Sequence, residues 1–138
     1  MITYLDTSFL IKAYVPEAES AQVASIIAGL QGDGAISRLT DVEMASALHR
    51  RLSPQDVSNI YRDYWQDRGT NTFQELEIDT RVFELAKTLA ERHANQFQLR
   101  SLDILHLAVA LHHGIGTFAT YDHRLATAAV ALGLQRLP

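Results

Sequence analysis

The sequence of residues 99–111 is LRSLDILHLAVAL, and this stretch decides the fold. A helix of this sequence has almost no polar face, so we expect other elements to enclose it on most sides. Asp103 is the exception, because it places a carboxylate in the first helical turn. Capping the free N–H groups there is worth about 0.3–1 kcal/mol. A functional role for Asp103 would instead require partner carboxylates elsewhere in the chain.

The chain has 138 residues and no cysteine. No Pro/Gly-rich break divides it, which predicts a single domain over residues 1–138 that buries a core without disulfides or a structural metal. The lack of cysteine excludes thiolate zinc sites and cysteine nucleophiles. The first residues lead directly into a strand, without a signal-peptide pattern, and no apolar run reaches membrane-spanning length. We therefore expect a cytoplasmic protein.

The charged residues give a net charge of −4. This argues against a protein that coats nucleic acid in general, because such binding depends on cations that neutralise phosphates. It does not exclude a nuclease. Acidic residues around a bound metal count as negative in the sequence but form a cation site once the metal is bound.

Short apolar segments alternate with helical segments along most of the chain. This alternation predicts a parallel α/β sheet with helices on both faces, in which ligands bind at the carboxyl ends of the strands. A polar loop is expected at residues 93–98. The predicted strands are residues 2–6, 35–37, 73–78, 116–122 and 134–137, and the predicted helices are residues 7–13, 18–29, 40–52, 53–69, 80–92, 99–111 and 123–132.

Four acidic residues fall where such a sheet forms its binding edge. Asp6 and Asp122 end predicted strands, and Glu43 and Asp103 begin predicted helices. Each has a structural alternative. Glu43 forms the capping-box pattern T-x-x-E with Thr40, and Asp103 can cap its helix. The two strand-end aspartates can be ordinary loop acids.

The four acids together favour a cation site more strongly than any one of them does. Each close pair of carboxylates costs about 4 kcal/mol of repulsion at an effective dielectric constant of about 20. A bound cation would offset that cost. Mg²⁺ or Mn²⁺, held by carboxylates and water, is the usual solution because these hard cations prefer oxygen ligands.

Motifs around these acids resemble those of the PIN-domain ribonucleases, and among them the VapC-type toxins of bacterial type II toxin-antitoxin pairs. Any one motif is weak, but the ordered set is specific and spans nearly the whole chain. The motifs are Tyr4-Leu5-Asp6-Thr7-Ser8, Leu39-Thr40-Asp41-Val42-Glu43, Leu102-Asp103-Ile104-Leu105-His106-Leu107-Ala108 and Thr120-Tyr121-Asp122-His123-Arg124-Leu125.

The resemblance implies an α/β/α sandwich with a short, mainly parallel sheet, and a Mg²⁺-dependent endoribonuclease that hydrolyses RNA with a metal-activated water. Mn²⁺ is the alternative ion. Thr120 and Ser8 would orient the ligands. An RNA substrate, a cognate antitoxin protein and a second copy of the chain in a homodimer are the implied partners. The metal ligands and catalytic residues that it implies are Asp6, Glu43, Asp103 and Asp122.

Other side chains near the acids carry weaker expectations. Arg100 and Arg124 flank Asp103 and Asp122, so either guanidinium is placed to contact a substrate phosphate. His106 lies one turn from Asp103, but on so apolar a helix we expect a buried, hydrogen-bonded histidine. Residues 53–71 match no motif. Their aromatic face is expected in the core or in a groove for a partner helix, with stacking on RNA bases as the alternative.

Two other functions stay open at this point. The first is a non-catalytic PIN-like module that binds RNA or protein and uses the acids only as caps. The second is a DNA-directed nuclease, which is less favoured because so short a chain offers no extra module to thread a DNA strand. A Mg²⁺ titration distinguishes the first of these from the nuclease.

Overall fold

The computed structural model describes residues 1–138, and its centre is a five-stranded sheet in the order β3-β2-β1-β4-β5. Every strand pair is parallel, which confirms the α/β/α sandwich. No helix combines the length and the apolar character that crossing a membrane requires. The strands are β1 (Thr3–Leu5), β2 (Gly34–Ile36), β3 (Gln74–Glu75), β4 (Thr117–Ala119) and β5 (Gln135–Leu137). The helices are α1 (Thr7–Leu10), continued by a 3₁₀ helix (Ile11–Ala13), α2 (Ser20–Leu30), α3 (Arg38–Arg51), α4 (Pro54–Gly69), α5 (Thr80–Phe97), α6 (Ser101–His112) and α7 (His123–Ala131).

A hydrophobic core lies on each face of the sheet, because side chains alternate along each strand. On β1, Tyr4 belongs to the core formed with α5, α6 and α7, whereas Leu5 belongs to the core formed with α1 to α4. On β4, Phe118 and Ala119 divide in the same way. The residues that follow β1 and β4 therefore emerge between the two helical layers.

The central helix α6 is enclosed from its second turn onward. Ile104 and the residues from His106 to Ala110 are buried, as expected. Leu102 is 41% exposed, so the first turn of α6 is not enclosed. This open turn carries Asp103 and lies at the edge of the sheet, where a cavity forms.

Several predicted boundaries are wrong. Helix α3 begins at Arg38, so Glu43 lies inside the helix and not at its start, and β4 ends at Ala119, so Asp122 lies beyond the strand. Residues 93–97 continue α5 instead of forming a loop, because Ala94 and Phe97 still pack against the core while the polar residues between them face outward. The helix ends at Gln98, which adopts the left-handed conformation (φ 54°). The third strand contains only Gln74–Glu75, both exposed at the sheet edge.

Helix α4 accounts for the segment without a motif. Ser53 caps it by accepting a hydrogen bond from the Asp56 N–H (3.3 Å), and Pro54 occupies its first position. Tyr64 is fully buried and donates to Asp41 of α3 (2.5 Å), so part of the aromatic face lies in the core. Trp65 is 48% exposed.

Candidate active site

The carboxyl ends of β1 and β4 open into a cavity of about 440 Å³. Asp6 directly follows β1, and Asp122 lies between β4 and α7. Glu43 comes from α3, and Asp103 comes from the first turn of α6. All four carboxylates line this one cavity. The structure therefore brings together the four acids that the sequence predicts at one edge of the sheet.

Asp6 is held through one of its two oxygens. The side chain is almost completely buried, and Oδ2 accepts hydrogen bonds from the hydroxyl of Ser8 (2.6 Å), the hydroxyl of Thr120 (2.9 Å) and the backbone N–H of Ser8 (3.2 Å). Oδ1 makes no hydrogen bond and lies 3.8 Å from Nε2 of His106. Ser8 and Thr120 therefore both contact this acid directly.

Glu43 does not form a capping box. Ser37 is the N-cap residue of α3, and the hydroxyl of Thr40 is buried without a hydrogen-bond partner. Oε1 of Glu43 instead accepts hydrogen bonds from the hydroxyl of Thr7 (2.8 Å) and from Nε2 of His106. The capping-box interpretation is wrong, because Glu43 joins α3 to α1 and α6. Its Oε2 makes no hydrogen bond.

Asp103 and Asp122 do cap their helices. Oδ2 of Asp103 accepts from the N–H of Arg100 (3.1 Å), and Oδ1 of Asp122 accepts from the N–H of Leu125 (3.1 Å). Each leaves its second oxygen without a hydrogen bond. Capping and a functional role are therefore compatible, since all four acids give one oxygen to the protein and keep the other.

The fold shifts the pKa values of Asp103 and Glu43 in opposite directions. Burial raises the pKa of Asp103, and the negative charges of Asp122 and Asp6 raise it further, against the hydrogen bond from Arg100. Burial also opposes the ionisation of Glu43, but its contacts with His106 and Thr7 outweigh burial, so the pKa of Glu43 is lowered. A cation in the cavity would relieve the repulsion at Asp103.

His106 is the site residue that sequence reasoning missed. Its side chain is fully buried, as expected of a core histidine, yet it donates from Nε2 to Glu43 and lies 3.8 Å from Asp6 Oδ1. Burial lowers its pKa, but the hydrogen bond to Glu43 and the charges of Asp6, Glu43 and Asp103 outweigh burial, so the pKa of His106 is raised. The one signal in the sequence was its place one turn after Asp103.

The donor set fits a hard divalent cation. Ligand atoms of Asp6, Glu43 and His106 lie within 4.8 Å of one another, and Asp103 and Asp122 bring further oxygens to the same cavity. Mg²⁺ and Mn²⁺ suit oxygen ligands, and Mg²⁺ usually keeps several waters, for which the cavity has room. Because Nε2 of His106 is hydrogen-bonded to Glu43, the carboxylate oxygens are the atoms that remain free to bind a cation.

Arginines border the acids. Arg100 lines the carboxylate cavity and also a neighbouring cavity of about 410 Å³ that contains Arg50. Arg124 lines a smaller cavity together with Arg100, Asp103 and Asp122. Both arginines that were expected to contact substrate are exposed. The rim of the acidic cavity is therefore cationic.

Comparison with known proteins agrees with the resemblance in the sequence. The chain matches the PIN domain family over residues 3–131. Two curated relatives from Mycobacterium tuberculosis, Ribonuclease VapC46 and Ribonuclease VapC47, are each 31% identical to it. The first alignment covers 95% of this chain and 92% of the relative, and the second covers 94% and 91%.

Solved structures share the fold over its full extent. FitAcB from Neisseria gonorrhoeae matches with a TM-score of 0.76 at 17% identity, over 99% of this chain and 97% of that chain. VapBC2 from Rickettsia felis, bound to a DNA fragment from their promoter, matches with a TM-score of 0.72 at 13% identity, over 99% and 98%. At these identities the likeness establishes the fold alone.

Proposed function

The chain belongs to the PIN domain family, and we propose that it is a Mg²⁺-dependent endoribonuclease, the toxin of a type II toxin-antitoxin pair. The relatives that share 31% identity with it are named ribonucleases, which supports RNA as the substrate. The proposed reaction is hydrolysis of a phosphodiester bond within the strand.

One observation carries this proposal: four carboxylates line one cavity, and each has one oxygen free of hydrogen bonds. Asp6, Glu43, Asp103 and Asp122 would hold Mg²⁺, with Mn²⁺ as the alternative. When bound, such a cation lowers the pKa of water and stabilises the negative charge that develops on a phosphate under attack.

The other residues of the site would position the ligands and the substrate. Ser8 and Thr120 orient Asp6 by hydrogen bonds to Oδ2, so Oδ1 stays available to a cation. The acids repel a phosphodiester, so the RNA backbone needs cations beside them. Arg100 and Arg124 supply these at the rim, because the guanidinium fork matches two phosphate oxygens.

The proposed partner is a cognate antitoxin protein. Structural neighbours include VapBC2 from Rickettsia felis bound to a DNA fragment from their promoter, and VapBC-1 from nontypeable Haemophilus influenzae. Together with the resemblance to VapC-type toxins, these neighbours support an antitoxin that binds this chain. A homodimer and a cytoplasmic location are proposed on the resemblance and the sequence alone.

Cleavage of a structured RNA with and without divalent cation tests the proposed function. The purified chain should leave the RNA intact in EDTA, and excess Mg²⁺ or Mn²⁺ should restore cleavage. Asp103→Asn should remain inactive under both conditions, because it removes one of the four charged ligands. Single-stranded DNA of the same sequence is the substrate control and should remain uncut.

Each rival function predicts a different outcome. A non-catalytic PIN-like module would bind RNA without cutting it under any condition. A DNA-directed nuclease would cut the DNA control and leave the RNA intact. Undiminished RNA cleavage in EDTA would contradict the cation site while leaving a ribonuclease in place.

A further inference from the structure

A buried chain of hydrogen bonds runs beneath the carboxylates from Ser37 through Tyr4 and His106 to Glu43. From it we infer that His106, held by Tyr4, is a positioning residue that fixes the Glu43 carboxylate for cation binding. This inference rests on the proposed function, because it assigns a task to His106 at the same cation site.

The contacts of this chain are short and continuous. The hydroxyl of Tyr4 lies 2.9 Å from Oγ of Ser37 and 2.7 Å from Nδ1 of His106. Nε2 of His106 donates to Oε1 of Glu43. Ser37, Tyr4 and His106 have no exposed surface. Both ring nitrogens of His106 therefore have hydrogen-bond partners, and these two contacts define the orientation of the ring.

The proton positions follow from the chemistry of the groups. A carboxylate oxygen can only accept, so Nε2 of His106 carries a proton. Burial raises the pKa of the Tyr4 phenol, so Tyr4 keeps its proton. The Tyr4 hydroxyl can donate to Nδ1 of a neutral ring while it accepts from Ser37, or accept from Nδ1 of a protonated ring while it donates to Ser37. Every member of the chain is satisfied in either arrangement.

The same contacts determine which oxygen Glu43 offers to a cation. Oε1 accepts from both His106 and Thr7 (2.8 Å for Thr7), whereas Oε2 makes no hydrogen bond. Two donors from different helices prevent the carboxylate from rotating. Without His106, only Thr7 would hold Glu43. Residues that hold a metal ligand in this way typically contribute about 10- to 100-fold to metal affinity or activity.

The chain is also anchored in the fold. The ring of Tyr4 stacks on Phe118 of the adjacent strand β4, with centroids 5.4 Å apart. Ser37 is the N-cap residue of α3, the helix that carries Glu43. The position of Glu43 is thereby tied to the sheet as well as to its own helix.

Two variants test the inference. Tyr4→Phe removes one hydroxyl and keeps the ring, and His106→Gln removes the imidazole. Dissociation constants for Mn²⁺ and Mg²⁺ are measured by calorimetry, and melting temperatures are measured in EDTA. We expect Tyr4→Phe to weaken cation binding by about 10-fold and His106→Gln by up to about 100-fold. Excess Mg²⁺ should restore kcat in Tyr4→Phe, with KM for RNA unchanged.

Tyr64→Phe is the matched control. Tyr64 is equally buried, and its hydroxyl also donates to a carboxylate, Asp41 (2.5 Å), which does not line the carboxylate cavity. This variant should lower the melting temperature and keep the dissociation constants of the parent.

The outcomes separate the inference from the proposed function. Parent-like dissociation constants in both variants, with melting temperatures lowered as in Tyr64→Phe, would show that His106 is a core residue only and would overturn the inference. Tyr4→Phe alone decides the question if His106→Gln does not fold. If the parent protein still cleaves RNA in that case, the proposed function stands and only the inference fails. If the parent protein binds neither Mg²⁺ nor Mn²⁺, both proposals are wrong.

Discussion

Each acid of the cavity uses one carboxylate oxygen for a hydrogen bond within the fold and keeps the other free of hydrogen bonds. Asp6, Asp103 and Asp122 accept backbone N–H groups at the starts of α1, α6 and α7. A cap occupies one carboxylate oxygen, and the second remains available. A capping pattern in a sequence therefore does not argue against a functional role for the same residue.

Arg100 and Arg124 should bind the substrate backbone. Replacing either by Ala should raise KM for RNA with little change in kcat, because a phosphate contact to a flanking nucleotide contributes to binding in the ground state. The slope of log affinity against log salt should become shallower by about one unit for each lost contact. Filter binding at several salt concentrations, together with steady-state cleavage, measures both quantities.

The control for these variants is Arg62→Ala. Arg62 lies on α4, and its side chain is 70% exposed. The variant therefore removes the same charge at a position that does not line the cavity. Parent-like KM and salt slope in both Arg100→Ala and Arg124→Ala would remove these residues from the site.

The residues of the site differ in how well the sequence alone predicts them. The four acids could be predicted because the carboxyl ends of parallel strands and the helices beside them meet at one edge of the sheet, although Glu43 lies inside α3 and Asp122 lies beyond β4. His106 could not be assigned to the site, because its partner Tyr4 is 102 positions away and only the folded sheet brings them together. The sequence around His106 shows an apolar helix, and the only signal for a role in the site is the position of His106 one turn after Asp103.

The attachment of α4 to α3 depends on a nearly buried ion pair. The guanidinium of Arg68 donates to both carboxylate oxygens of Asp41 (3.0 and 3.1 Å) and to Glu75 (2.8 Å). The side chains of Arg68 and Asp41 are 8% and 13% exposed. Tyr64 donates to the same Asp41 carboxylate. Removal of Arg68 would therefore leave a negative charge with too few donors in a poorly solvated position.

Arg68→Ala should lower the free energy of unfolding by about 3 kcal/mol, the usual cost of breaking a buried ion pair by removing one partner. Urea denaturation measures this change, and Arg62→Ala should stay within about 0.5 kcal/mol of the parent. The stabilisation by Mg²⁺ should persist, because the pair lies outside the carboxylate cavity. An Arg68→Ala protein as stable as the parent would refute this role for the pair.

Helices and strands were predicted with unequal success for physical reasons. The order of the elements followed from the alternation of apolar and helical segments. The end of α5 could not be predicted in this way, because residues 93–97 are mostly polar and only Ala94 and Phe97 pack against the core. The sequence predicts a strand over residues 73–78, whereas β3 contains only Gln74–Glu75. This strand is exposed and pairs only with β2, so its sequence lacks the regular apolar alternation that would mark the ends of a strand.

Folding gathers charges that the unfolded chain keeps apart. The four acids meet in one cavity, and the pKa of Asp103 is raised by burial and by the charges of Asp122 and Asp6. The protein without a cation therefore carries a repulsion that the proposed ion would remove. Because a ligand that binds only the folded state stabilises it, function and cation-free stability should oppose each other at this cavity.

The melting temperature of Asp103→Asn, in EDTA and in Mg²⁺, tests this shared cation site most directly. The amide oxygen of Asn can still accept from the N–H of Arg100, so the cap is kept and the charge is lost. Asp56→Asn is the matched control. Asp56 occupies the corresponding position in the first turn of α4, contacts Ser53 (2.9 Å) and does not line the cavity.

We expect Asp103→Asn to melt higher than the parent in EDTA, by about 3 °C for each kcal/mol of relieved repulsion, and to gain less from Mg²⁺. Asp56→Asn should melt no higher than the parent in EDTA and should gain from Mg²⁺ as the parent does. An Asp103→Asn protein that melts below the parent in EDTA, and that Mg²⁺ stabilises as strongly as the parent, would contradict the shared cation site.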